Sequence, residues 1–404
     1  MTDKAPTICL VAGEESGDQL GSELMKALND RLGQGARYCG VGGERMTALG
    51  LTSFFDISDV SVMGLSAVLA RLPLIVKRVY QTVDDVIAAD PDVLVIIDSP
   101  DFTHSVAKRV RKRAPNIPIV GYVSPSVWAW RPGRAKKMSV YVDELLALLP
   151  FEPDIHKKLA GPRTHYVGHP LSEHVEELRP GRDERLPVSA DEKVLLVLPG
   201  SRRSEIDRLL EEFGETVALV NRDLPNVDVV LPAVSHLEAK IRQGTQNWKV
   251  RPRIVTGLEA KKAAFRSAHA ALAASGTVSL ELALSGVPMV VAYKVDWFFR
   301  RIKDLNRIFK FSSVDSFVLP NIILGSKVIP EFLDDEVKPE VLAGLLNDLL
   351  KDGPERQAQL DEFSRLEEVM RLPEGHSQSS AAADVVLNVL NASVPETSRE
   401  LSAG

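Results

Sequence analysis

The chain has 404 residues, 45% of them hydrophobic and 26% charged, with a formal net charge of -6 at pH 7. That length suggests two domains with cores of their own and excludes a mini-protein, and the acidic balance argues against a surface built to grip nucleic acid. Two cysteines, Cys9 and Cys39, allow neither a disulfide framework nor a paired-cysteine zinc site, and no run reaches the ~18 apolar residues of a membrane span.

The recurring pattern is a short apolar run closed by Gly, Ser, Asp or Pro and followed by an amphipathic stretch, the sequence form of βαβ units and parallel sheets. In the first half the predicted strands are Thr7 to Val11, Val93 to Ile97, Ile117 to Val123 and Glu144 to Leu149. The start of the chain is unlike a secretory leader, because Asp3 and Lys4 precede only a short apolar run, so a cytoplasmic setting is expected. Ligands of open parallel sheets sit beyond the carboxyl ends of strands, which makes the loops there the places to look for function.

After the first strand come Gly13, Glu14, Ser16, Gly17 and Asp18, without the GxGxxG spacing of a dinucleotide fingerprint. Acidic side chains there suit sugar hydroxyls or proton abstraction, and helix capping by Ser16 or Asp18 explains them equally well. The stretch Val62 to Tyr80, with Met63, Leu65, Val68, Leu69 and Leu72, has Arg71, Lys77 and Arg78 as its charges and is broken by Pro73. It is suited to lying on a bilayer or taking an acyl chain, or to packing as a pair of core helices.

Asp98 and Asp101 flank Pro100 at the end of a strongly apolar strand, where two carboxylates near one site can leave one of them as a general base. Capping is the alternative, and the DPD at Asp90 to Asp92 lies at the wrong end of its strand and reads as a turn. From Phe102 to Val142 there are nine Lys or Arg and no Asp or Glu. Within that segment Trp128, Trp130, Arg131 and Arg134 look like an interfacial or phosphate-facing surface, ahead of nucleic-acid stacking as a use. His169 has no second His or Cys at ligand spacing, so no metal role is expected.

Residues 174–193 are charged and proline-bearing and read as a linker between domains 1–173 and 194–391. In the second half, Gly200, Ser201 and Arg202 follow the run VLLVLP; the glycine permits close backbone approach and the guanidinium can clamp a diphosphate or simply pair with Glu205. Ser275, Gly276 and Thr277 close another apolar run and open a helix, a place where N–H groups suit a phosphate; Glu281, one turn on, can reach a ribose diol. A solvated cap is the plainer alternative, but the two loops together favour a nucleotide diphosphate site. Stretches 340–350, 355–371 and 378–391 have helical spacing, and 392–404 reads as a frayed tail. The fold class expected is α/β, with two Rossmann-like doubly wound domains facing a cleft and C-terminal helices.

Taken in order, AGEESGDQLG, GVGGERM, SVMGLSAVLARLP, IDSPDF, YVSPSVWAWR, LPFEP, YVGHPL, LPGSRRSEI, ASGTVSLELALSGVPMVVAYK and LPNIILG resemble the lipid-A-disaccharide synthases, inverting glycosyltransferases with the GT-B architecture. YVSPSVWAWR is the most specific of these; Glu15, Ser99 and Asp334 depart from the residues usual in the family. The resemblance implies transfer of 2,3-diacylglucosamine from UDP-2,3-diacylglucosamine to 2,3-diacylglucosamine 1-phosphate, giving a β-1′,6-linked disaccharide 1-phosphate and UDP. It implies UDP held by Gly200, Ser201, Arg202, Ser275, Gly276, Thr277, Glu281 and Asn321. Arg202 would also stabilise the leaving group, and Asp98 would be the base, with Glu14 the runner-up.

Ser16, Asp18 and Asp101, the Val62 to Tyr80 stretch and the Trp/Arg segment fall on the acceptor and membrane side, at the cytoplasmic face of the inner membrane. The resemblance implies no cofactor and no metal, and it allows a homodimer. A UDP-sugar epimerase of the same fold and a non-catalytic nucleotide-sugar or lipid-binding protein are the alternatives.

Overall fold

In the computed structural model the described residues are 5–33, 35–61, 65–295 and 316–392, the side chains of 65–69 excepted. They divide into two compact units, one of residues 1–169 with 372–404 and the other of residues 170–371.

The first unit contains a seven-stranded sheet of β1 (Thr7–Ala12), β2 (Arg37–Val41), β3 (Thr52–Ser53), β4 (Val93–Ile97), β5 (Ile119–Tyr122), β6 (Glu144–Ala147) and β7 (Arg163–Tyr166). Its order is β3-β2-β1-β4-β5-β6-β7, and every pairing is parallel. Alternate residues of β1 serve opposite faces: Ile8, Leu10 and Ala12 join one core cluster, Cys9 and Val11 the other. Helices cover both faces, as an all-parallel sheet demands. Leu24, Met25 and Leu28 of the helix Glu15–Leu32 pack on one side. Val79, Val83 and Val86 of the helix Leu65–Ala89 and Val106 and Val110 of the helix Pro100–Arg113 pack on the other.

The second unit repeats the plan with β8 (Lys193–Leu198), β9 (Val227–Ala233), β10 (Arg253–Thr256), β11 (Ala270–Ala274), β12 (Met289–Tyr293) and β13 (Glu331–Leu333). The order β10-β9-β8-β11-β12-β13 is again wholly parallel. Each sheet therefore reverses direction of growth between its first and fourth strands, β1/β4 in one and β8/β11 in the other. That reversal opens a crevice at the carboxyl ends. The predicted strands are all present, with ends moved by up to two residues. The short strands β2, β3, β7, β10 and β13 carried too few apolar residues to stand out.

Three expectations change. The helix Gln378–Ala392 belongs to the first unit, not to a domain spanning 194–391, because Ala382, Ala383 and Val386 complete that unit's core and Arg31 pairs with Asp384 at 3.1 Å. Residues 174–193 are not a free linker but pack on the second unit. There the Arg185 guanidinium donates to the carbonyls of Phe265, Arg266, Ser285 and Gly286 at the ends of two helices, and burial pushes its pKa down to about 10. Pro73 does not break its segment: one helix, Leu65–Ala89, runs through it.

Candidate functional site

At the first crevice, Gly13 and Glu14 follow β1 while Asp98 and Ser99 follow β4. A Cβ on Gly13 would come within 2.5 Å of the Ser99 Cβ, so glycine is what lets the two loops touch. Asp98 and Ser99 both hold positive φ, 49° and 43°, an uncommon run for residues with side chains. The turn is fixed by three bonds: Asp98 N–H to the Tyr122 carbonyl (2.9 Å), Ser99 N–H to Asp98 Oδ1 (2.8 Å) and Thr103 Oγ1 to the Asp98 carbonyl (2.6 Å).

Ser16 Oγ then lies 3.0 Å from Glu14 Oε1 and 3.4 Å from Asp98 Oδ2, so the two expected acid/base candidates and Ser16 form one cluster. Burial, and secondarily the Asp98 carboxylate, raises the Glu14 pKa against the opposing bond from Ser16. Beside Glu14 a hollow of about 370 Å³ is walled by Leu72, Ile75, Val76, Val79, Tyr80 and Phe102. Leu72, Val76 and Tyr80, spaced i, i+4, i+8, are 46%, 46% and 52% exposed. Met63 lies outside the described residues, as do the side chains of Leu65, Val68 and Leu69.

Asp18 is corrected. It is 3% exposed, and its carboxylate accepts the N–H groups of Gly43 (2.7 Å), Arg45 (3.0 Å) and Met46 (3.2 Å), fastening the helix Glu44–Ala48 to the first helix. Both of its oxygens are engaged by backbone N–H groups of that helix start. Asp101 turns to solvent beside the hollow, 3.9 Å from Arg134, and its carboxylate does not meet Asp98.

In the Trp/Arg segment only part of the expected surface faces out. Trp130 is exposed with the Arg131 guanidinium 5.5 Å from its ring centroid. Trp128 instead turns inward, donating to Glu152 Oε1 at 3.2 Å and meeting Phe151 edge-on. Its indole N–H needs a buried acceptor, and Glu152, which burial raises to about pKa 7, supplies it. Arg111 and Arg113 of the basic helix pair with Asp143 and Asp84.

At the second crevice one cavity of about 580 Å³ gathers every expected nucleotide residue except Asn321: Gly200, Ser201, Arg202, Ser275, Gly276, Thr277 and Glu281. Gly200 has φ 112°, and a Cβ there would fall 2.4 Å from Glu205 Oε2. Glu205 is buried and organises the loop, accepting from the Ser201 and Arg202 N–H groups (3.0 and 3.1 Å) and from Arg202 Nη1 (2.8 Å). Arg202 thus makes the pairing offered as its plain alternative. Its side chain nonetheless stays 76% exposed along the cavity, so an anion can engage it too. The Ser275 hydroxyl donates to the Phe317 carbonyl, which leaves its loop to act through the backbone.

Asn321 is corrected. It is 2% exposed, and its amide is consumed by Val328 N–H, Ile329 N–H and the Ile329 carbonyl, bracing the turn before β13. Lys261, which the sequence reading missed, lines the cavity with Nζ 2.6 Å from Glu281 Oε2. It stands one turn past Gly257, the turn closing β10, and the strand-end rule applied to β10 would have reached it. A larger hollow of about 1120 Å³ lies between the helix Arg203–Asp223 and the segment 240–249 and contains none of these strand-end loops.

The family model for lipid-A-disaccharide synthetase matches residues 8–385. A lipid-A-disaccharide synthase of Nitrobacter hamburgensis is 53% identical over 386 residues, covering 96% of each chain. One of Rhodopseudomonas palustris is 51% identical over 392 residues, also covering 96% of each. Among solved structures, a glycosyltransferase of kitacinnamycin matches with TM-score 0.60 at 19% identity, over 96% of this chain and all of that one. A UDP-N-acetylglucosamine 2-epimerase matches with TM-score 0.57 at 12% identity, over 96% and 97%. At such identities these structures speak for the fold alone.

Proposed function

The chain belongs to the lipid-A-disaccharide synthase family, and from that premise we propose how its own residues divide the work. The enzyme is a UDP-sugar-dependent glycosyltransferase of lipid A biosynthesis. It transfers 2,3-diacylglucosamine from UDP-2,3-diacylglucosamine to 2,3-diacylglucosamine 1-phosphate, forming the β-1′,6-linked disaccharide 1-phosphate and UDP.

UDP occupies the 580 Å³ cavity of the second unit. The negative charge that grows on the leaving diphosphate is met by Arg202 and the backbone of the Gly200–Ser201 and Ser275–Thr277 loops. Glu281, held by Lys261, takes the ribose hydroxyls. In the first unit Asp98 accepts the proton of the acceptor 6-hydroxyl while that oxygen attacks the anomeric carbon in line, inverting it; Glu14 is the second candidate for the same role. The observation that carries this reading is that both expected clusters fall on the crevices where the two sheets reverse, Glu14 with Asp98 at β1/β4 and Gly200 with Ser275 at β8/β11.

Apolar Leu72, Ile75 and Val76 beside Glu14 give an acyl chain of the acceptor a wall to lie on. Among the described residues no helix is long and apolar enough to cross a membrane. The exposed Leu72, Val76, Tyr80 and Trp130, with Arg131 close by, support peripheral contact with the inner membrane's cytoplasmic face. A homodimer remains part of this reading, and light scattering tests it.

The epimerases share the fold, but identity at half of all positions favours the synthases. The deciding experiment is UDP release from the donor with and without the 1-phosphate acceptor in detergent micelles, with product mass. Release that requires acceptor and yields a disaccharide mass supports the transfer. UDP release independent of acceptor, or a product of unchanged sugar number, contradicts it.

A further inference from the structure

The two cysteines of the chain stand 30 residues apart in sequence, yet they are direct partners on adjacent strands: Cys9 of β1 lies opposite Cys39 of β2 in the parallel register. Direct partners in a parallel pair project to the same face, so both thiols enter the layer under the helix Leu65–Ala89, where Cys9 joins the core cluster and Cys39 packs against it. Neighbouring strands run about 4.8 Å apart, inside the roughly 4.4–6.8 Å of Cα separation that a disulfide spans.

The next pair along holds the strands tightly together. Gly40 partners Leu10, and a Cβ on Gly40, whose φ is 139°, would fall 1.8 Å from the Leu10 carbonyl oxygen. Access differs between the two thiols: Cys9 is fully buried, whereas Cys39 is only partly so.

We propose that Cys9 and Cys39 form a two-thiol oxidation site that a hydroperoxide converts to an intrachain disulfide joining β1 to β2. The Cys39 thiolate sulfur attacks the distal oxygen of the hydroperoxide and the O–O bond breaks. This leaves a sulfenic acid on Cys39, and the departing oxygen takes up the proton that Cys39 had lost to become the alcohol, or water. The Cys9 sulfur then attacks the Cys39 sulfur and the S–O bond breaks. The Cys9 proton leaves with that oxygen as water, so two electrons pass from the thiols to the peroxide.

The order of events follows from environment. Contact with the Cys9 thiol, helped by the nearby Arg37 charge, lowers the Cys39 pKa, while the same contact and burial raise that of Cys9. The sulfur of the partly buried Cys39 is therefore the attacking one and that of the fully buried Cys9 the resolving one.

The test uses the full chain, reduced, desalted and exposed to hydrogen peroxide, with maleimide-reactive thiols counted after denaturation and intact mass recorded. The reduced protein should give two reactive thiols and the treated protein none. The treated chain should be lighter by two hydrogens, run as a single chain without reductant, and regain both thiols with dithiothreitol. In Cys9→Ser, Cys39 should stop at a sulfenic acid that dimedone captures. The proposal is overturned if wild-type protein keeps both thiols under conditions that oxidise free cysteine. It is equally overturned if Cys39 proceeds to sulfinic acid with Cys9 still free, or if the disulfide that forms joins two chains.

Discussion

Glu14 and Asp98 meet on a single hydroxyl, with Ser16 Oγ at 3.0 Å from one carboxylate and 3.4 Å from the other. A serine hydroxyl has one proton and can serve only one of them at a time. Burial and the neighbouring Asp98 carboxylate raise the Glu14 pKa against the bond from Ser16, which favours a proton on Glu14. This fits the proposal that Asp98 accepts the substrate's proton.

Glu14→Gln should therefore keep transfer within about tenfold of wild type, since loss of a true general base costs about 10²–10⁴. The kcat/KM profile of the wild type should carry an inflection on the alkaline side of an ordinary glutamate, where Glu14 gives up its proton, and the Gln variant should lack that inflection. A loss beyond about a thousandfold in Glu14→Gln would make Glu14 the base.

Lys261→Met removes the cation holding Glu281. A bond to a charged group is worth about 1.5–3 kcal/mol, so KM for the UDP-sugar should rise roughly 10- to 100-fold, with kcat changed far less. Steady-state kinetics on both substrates check this; an unchanged donor KM would remove Lys261 and Glu281 from ribose recognition.

Asp18→Ala strands three backbone N–H groups. Apparent unfolding free energy should fall by about 2–4 kcal/mol, read from the urea midpoint, while donor KM stays at its wild-type value. Asn321→Ala should behave alike, losing stability and not UDP affinity, as calorimetric titration with UDP would show.

Glu152 titrates near pH 7 in the folded chain, above its unfolded value of 4.5. The folded state then binds the extra proton between those values, so the stability that Glu152 contributes is fully present below about pH 4.5 and is lost as pH rises to about 7. Glu152→Gln should flatten that slope by about 1–3 kcal/mol across the window and leave Trp128 its acceptor. Denaturation midpoints at pH 5 and pH 8 measure it.

Much of the architecture was legible because parallel strands, buried on both faces, appear as runs such as Val93–Ile97 that end in turn residues. The loops were legible for the same reason, since Gly200, Ser275, Glu14 and Asp98 are read from strand ends alone. What was not legible depends on which way a side chain turns. Glu14 and Asp18 are acidic neighbours at the start of the helix Glu15–Leu32, and only the packing of the helix Glu44–Ala48 decides that Asp18 points inward. Asn321 sits in a motif but spends its amide on a turn seven and eight residues later. The helix Gln378–Ala392 has an apolar face that either unit's core could take, and contact with Arg31 and Tyr122, over more than two hundred residues of chain, is a tertiary fact.

The most direct measurement is transfer by Asp98→Ala, assayed as acceptor-dependent UDP release, alongside its affinity for UDP. The assignment of Asp98 as base predicts turnover lowered by at least about a hundredfold with UDP affinity within twofold of wild type. Turnover at the wild-type rate would contradict it.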